Sequence, residues 1–236
     1  MLSGLFLGYA VIHLLIWLWG WRLWVQTGRP TALLLVLVAS TLLFYDNLRI
    51  GMGRFIGQGE LLYALSMPAF AWHWSMLPLL VIAAGAMARQ AGLGWAKNRL
   101  VMGAFCVAAV LLSALDIPSI FSMQLHPACL ADTLRYSTRV TTAQLCPGSE
   151  LIISTGPGPL VAILVNIVVL VVGIALWIQR DWPWLTVGAG LMFIAAGAFA
   201  SSVWSLPIAN FGEICFTLGC ISTAAHFARQ DLQRRL

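Results

Sequence analysis

The chain has 236 residues, of which 61% are hydrophobic and 9% charged, with a mean hydropathy of +0.90 and a net charge of +5. Soluble domains are about 25% charged, so this composition excludes an ordinary soluble domain. No basic stretch is interleaved with aromatics in the way a nucleic-acid surface requires, which excludes nucleic acid as a partner.

The apolar runs are continuous rather than alternating. In lipid that pattern calls for helices, which satisfy their own backbone hydrogen bonds, and not for barrel strands. A span needs about 20 apolar residues. Seven are predicted, at roughly 4–24, 31–50, 64–88, 100–120, 158–178, 183–203 and 207–227. The expected fold is therefore an all-α membrane protein, a seven-transmembrane helix bundle, with residues 1–236 forming one polytopic domain.

In chain order, the first span opens with "MLSG", which lacks a basic leader, and its apolar stretch is long for a signal peptide, so it reads as a retained anchor. His13 lies midway along it, with Tyr9 and Trp17 four residues to either side on the same face. Span two ends near Asp46 and Asn47, and "YDNLRIGMGRFIGQGE" carries the chain across to span three through Arg49, Arg54 and Glu60. Gly51, Gly53, Gly57 and Gly59 resemble a phosphate loop only superficially, because that motif needs a soluble strand and helix around it. A close-packed or re-entrant turn is the expectation.

Span three sets His73 between Trp72 and Trp74, and span four carries Ser113 and Asp116 on one face just before Pro118. The only long loop, 121–157, contains Cys129 and Cys146 and closes with "STGPGP" at 154–159. "RDWPW" at 180–184 reads as a tight inner turn, with Trp19, Trp21 and Trp24 in the same interfacial belt. Span six ends in Ser201, Ser202 and Ser205, while span seven presents Asn210, Glu213, Thr217 and Cys220 as a polar stripe at helical spacing.

Orientation follows from the cations. With the N-terminus outside and the C-terminus cytoplasmic, Arg22, Arg29, Arg89, Lys97, Arg99, Arg180, Arg229, Arg234 and Arg235 lie inside, against Arg49, Arg54, Arg135 and Arg139 outside. Most of the acids, including Asp132 and Glu150, fall on the outer side. The expected location is the plasma or inner membrane of a prokaryote-like cell. The loop would then face an oxidising compartment, so a Cys129–Cys146 disulfide is predicted, constraining that loop by about 3 kcal/mol. Cys106, Cys215 and Cys220 read as small packing residues.

Charge inside a bilayer costs about 2.5 to 3.5 kcal/mol on the more lenient scale, so such groups turn inward and find partners or ligands. Asp46, Asn47, Arg49, Arg54, Glu60, His73, Asp116, Asn210 and Glu213 converge on the outer half of the bundle and form the candidate site. The first functional expectation is an outward-facing polar pocket that binds, or processes, a lipid-like amphiphile, with Arg49 and Arg54 gripping a phosphate or carboxylate. The acids would serve as general acid and base, or His73, Asp46, Asp116 and Glu213 would hold a divalent metal. The plain structural alternative pairs Asp46 with Arg49 or Arg54, and Glu213 with Asn210. A second functional expectation is a redox protein, with haem on His13 and His73 or a quinone in the pocket. A third is an accessory or scaffold subunit packing against other membrane subunits.

Two seven-span comparisons fail on particular residues. A retinal Schiff base needs a buried lysine, whereas Lys97 sits in an inner loop; membrane-embedded lipid hydrolases use an HxxxH pair on the last helix, where this chain has only His226.

Overall fold

The structure is a computed structural model and describes residues 1–153, 155–198 and 204–235. The apolar runs are helical: α1 (Leu2–Gln26), α2 (Thr31–Ile56), α3 (Glu60–Met76), α4 (Leu79–Gln90), α5 (Arg99–Asp116), α6 (Pro118–Ser122), α7 (Leu160–Arg180), α8 (Trp184–Gly197) and α9 (Ser205–Arg235). Among the described residues, five helical segments are long and apolar enough to cross a membrane. They are α1, α2, α5 with α6, α7 and α9, and the bent α3–α4 pair makes a sixth if it counts as one span.

Three boundaries depart from the sequence expectation. The run at 64–88 is two helices bent by 43°, with the break at Leu77–Pro78, where proline brings no N–H to the helical ladder. The expected sixth span is helical over only the 14 residues of α8, and its end, with Ser201 and Ser202, lies outside the described residues. Span two does not stop at residue 50. Its helix continues to Ile56, and Gly57, at φ 83°, supplies the positive backbone angle that ends it.

That continuation explains two of the glycines in "YDNLRIGMGRFIGQGE". Gly51 and Gly53 are helical and buried. A Cβ on Gly53 would lie 1.8 Å from the carbonyl oxygen of Leu134, so a bare helix surface is needed for the loop to rest on. The expected turn of close-packed glycines is instead a close-packed helix end.

The 121–157 loop holds an element absent from the sequence reading. Strands β1 (His126–Leu130) and β2 (Thr133–Ser137) pair antiparallel, with Cys129 opposite Leu134 and Ala128 opposite Arg135. The predicted disulfide joins Cys129 to Cys146 with Cα atoms 5.0 Å apart. Val140 and Ile152 exchange both backbone hydrogen bonds, at 3.0 and 3.1 Å, closing the loop on itself. Tyr136 then packs with Leu62, Trp74, Met123 and Leu125, seating the hairpin on α2 and α3.

Inside the bundle, α1 lies on α2, α7 on α8 and α8 on α9, with α2, α4 and α9 at the centre. The core is aliphatic, built from residues such as Leu33, Leu37, Met87, Leu176 and Ile221. Helices α8 and α9 meet through glycine: a Cβ on Gly188 would come within 2.8 Å of the Cys215 carbonyl, and one on Gly219 within 2.7 Å of that of Trp184. By contrast α5 buries only Ala109 and Asp116 and leaves Leu100, Val107, Val110 and Leu111 exposed. Lipid tails would solvate that face.

Candidate functional site

Helical spacing puts the polar residues where the sequence expects convergence. Val36, Ala39, Leu43, Asp46, Arg49 and Ile50 share one stripe of α2, while Leu206, Ala209, Asn210, Glu213, Phe216, Thr217 and Cys220 share one stripe of α9. Between them lies a cavity of about 790 Å³. His73, Phe70, Trp72 and Trp74 enter it from α3, Asp116 from the end of α5, Asn166 from α7 and Met192 from α8. The hairpin side is closed by Arg135, Thr138, Arg139, Ile153 and the Pro157–Pro159 turn. Asp46, His73, Asp116 and Glu213 therefore face one cavity, although they come from four different helices.

The polar groups around it fall into two kinds. Asp46 and Arg49 hold each other. Arg49 Nε and Nη2 donate to Asp46 Oδ1 at 3.1 and 2.5 Å, and Nη1 donates to Ser66 Oγ at 3.0 Å and to the Tyr136 carbonyl at 3.3 Å. The guanidinium also lies 5.6 Å from the Phe70 ring. Four of the five guanidinium N–H groups of Arg49 are thus engaged, and the side chain is a strut binding α2 to α3 and to the hairpin.

The second kind has no such partners. Among the described residues, the side chains of Asp116, Glu213 and His73 make no hydrogen bond or ion pair, although burial leaves Asp116 only 7% exposed. The sequence alternative of a Glu213–Asn210 bond is not formed: Asn210 Nδ2 donates to the Leu206 carbonyl at 2.9 Å and its Oδ1 is buried without a partner. Glu213 lies eight residues into α9, about 12 Å along the axis at the usual rise of about 1.5 Å per residue. Asn166 Nδ2 is used by the Ala189 carbonyl at 3.2 Å, and its Oδ1 is buried without a partner.

Arg135 and Arg139, which the sequence reading used only for orientation, are the cations that reach the cavity from the loop. The signal was present: in an extended "TLRYSTR" they lie four apart and so on one face. Arg135 Nε is buried with no hydrogen-bond partner among the described residues. Burial first, then the like charge of Arg49, draws its guanidinium pKa down to about 10, with Asp46 opposing.

Four candidates lie elsewhere. Arg54 donates from Nη1 to Asp132 Oδ2 at 2.8 Å and does not line the cavity. Asp132 also accepts from the ammonium of Met1 and from the Leu2 and Ser3 amides, which together hold its carboxyl well below the usual carboxylate range. Glu60 is exposed at the start of α3. Asn47 is fully buried on another face of α2, its Nδ2 donating to the Leu43 carbonyl at 2.9 Å. His13 is 3% exposed, with Nε2 unpartnered, and is not among the residues lining the cavity that His73 lines, so the two rings do not face a shared haem-sized space.

Nor do the acids and His73 close on a metal. Among the described residues, no three His, Cys, Asp or Glu side chains come together as a ligand set. The site is a concave cavity. Its walls are mostly apolar and aromatic, with separated charges of both signs, which suits a molecule having a polar end and a long apolar body. No protein-family model, curated protein or solved structure matches this chain.

Proposed function

We propose that this protein spans the plasma or inner membrane of a prokaryote seven times, with its N-terminus outside and C-terminus cytoplasmic, and binds a lipid-like amphiphile in its intrabundle cavity. The observation that carries the reading is the cavity itself: about 790 Å³, within the range of about 300 to 1,000 Å³ usual for small-molecule sites. It is lined by charged groups, several of them without protein partners. Leaving a buried group such as Asp116 unpaired is costly, and a bound headgroup would supply what it and its half-buried neighbours lack. The bias of Arg and Lys toward the opposite end of the bundle supports the orientation and makes the hairpin the outer face.

Mass spectrometry of the detergent-purified protein tests the binding. One defined amphiphile per chain is expected, and Ala209→Trp, which fills the cavity from α9, should displace it. No defined amphiphile, or equal retention by Ala209→Trp, would overturn the reading. The orientation is tested with cysteines introduced at Gln58, Thr141 and Gly94: the first two should label from outside intact cells, and labelling at Gly94 would reverse the topology.

A second reading, an accessory subunit of a larger membrane complex, draws on the broad exposed face of α5. It predicts an empty cavity together with stoichiometric partner subunits in the purified preparation.

A further inference from the structure

We propose that Arg135 and Arg139 form an anion-receiving subsite at the hairpin end of the cavity, taking the phosphate or carboxylate of the bound molecule. The proposal rests on the amphiphile reading and deepens it. The two arginines expected to grip an anion are otherwise engaged: Arg49 is held by Asp46, Ser66 and the Tyr136 carbonyl, and Arg54 is held by Asp132. Arg135 differs from both. It lines the cavity, its Nε is buried without a partner, and no carboxylate lies within ion-pair distance of it among the described residues.

The charges that act on Arg135 are Arg49, which repels it, and Asp46, which is already spent on Arg49. Asp116 and Glu213 line the same cavity from α5 and α9, but neither pairs with Arg135 or Arg139. A half-buried guanidinium with its Nε buried in that position lacks a counter-ion, and its planar donors match a phosphate or carboxylate in two-point contact. Arg139, exposed just past the bend that ends β2, lines the cavity as a second cation. The hairpin that carries Arg135 is fixed by the Cys129–Cys146 disulfide and by Tyr136 packed on α3, so its guanidinium is presented by a braced element.

The test compares three probes against the full chain in neutral detergent by native mass spectrometry: dihexanoyl phosphatidic acid, dihexanoylglycerol with the same tails and no phosphate, and inorganic phosphate. Phosphatidic acid is expected to bind at least tenfold more tightly than dihexanoylglycerol. Arg135→Gln and Arg139→Gln should shrink that preference without changing dihexanoylglycerol binding, while Arg54→Gln leaves it intact. Arg135→Lys, which keeps the charge, serves if the glutamine variant does not fold, and should keep a preference weakened several-fold. Inorganic phosphate that binds alone and is lost in Arg135→Gln supports the subsite with a free anion as its source; phosphate that binds only as part of phosphatidic acid assigns it to a lipid headgroup. If dihexanoylglycerol binds as tightly as phosphatidic acid, the subsite is refuted and the amphiphile cavity stands. If none of the three binds, both fall.

Discussion

The Asp46–Arg49 corner and the Asp116–Glu213–Arg135 groups line the same cavity but differ in what they have found. Arg49 makes four hydrogen bonds, to a carboxylate, a hydroxyl and a backbone carbonyl, and sits against an aromatic ring. The side chains of Glu213 and Asp116 make none among the described residues, and Arg135 Nε has no partner. Sequence composition treats these residues alike, as charges in an apolar chain. Their partners separate them: a paired charge holds helices together, and an unpaired one facing the cavity is available to a ligand.

The largest effect expected from breaking this contrast is on the paired side. Arg49→Ala strands Asp46, Ser66 and the Tyr136 carbonyl. Removing one member of a buried pair costs about 3 to 5 kcal/mol. The lower end applies here, because Asp46 remains 34% exposed. Denaturant or thermal unfolding in detergent should register that loss, and a variant as stable as the parent would show that the strut bears little.

The seat of the hairpin gives the next largest effect. Gly53→Ala puts a methyl where the Leu134 carbonyl lies 1.8 Å away, and overpacking of this kind costs about 1 to 3 kcal/mol. Because backbone must move, the loop should become more sensitive to limited proteolysis. Unchanged proteolysis would mean that the hairpin does not rest on α2.

The smallest effect is at the Asp132 anchor. Its carboxyl pKa is depressed in the folded state, so its contribution is fully present above the unfolded value of about 3.9 and fades as pH falls through the folded value. At neutral pH Asp132→Asn should lower Tm slightly, and the gap from the parent should narrow progressively below about pH 4. A gap independent of pH would assign the effect to shape rather than charge.

Much of this arrangement was legible in the sequence. Asp46, His73, Asp116 and Glu213 stand at helical spacing in apolar runs, and the cost of burying them forces an inward orientation, so their convergence followed from periodicity. The disulfide followed from two cysteines in one outer loop. Arg54 departs from the expected site because α2 runs on through glycines, which are poor helix formers by themselves. Continued as a helix, it carries Arg54 about 12 Å beyond Asp46 at about 1.5 Å per residue, into reach of Asp132. Arg135 and Arg139 were not assigned to the site because their position depends on a hairpin folding back over the bundle, a tertiary event that local pattern does not encode. His13 and His73 lie at similar depths, but depth alone does not fix the direction in which a side chain faces.

The account turns on Glu213, which faces the cavity from α9 without a protein partner, and the most direct measurement pairs thermal stability with retained amphiphile in Glu213→Gln. The substitution keeps the shape and replaces the ionisable carboxyl with an amide. With no ion pair to lose, Tm should not fall by more than about 2 °C, a loss of under about 1 kcal/mol for a chain of this size, while amphiphile retention falls several-fold. A clear drop in Tm with retention unchanged would contradict the account and make Glu213 one more strut.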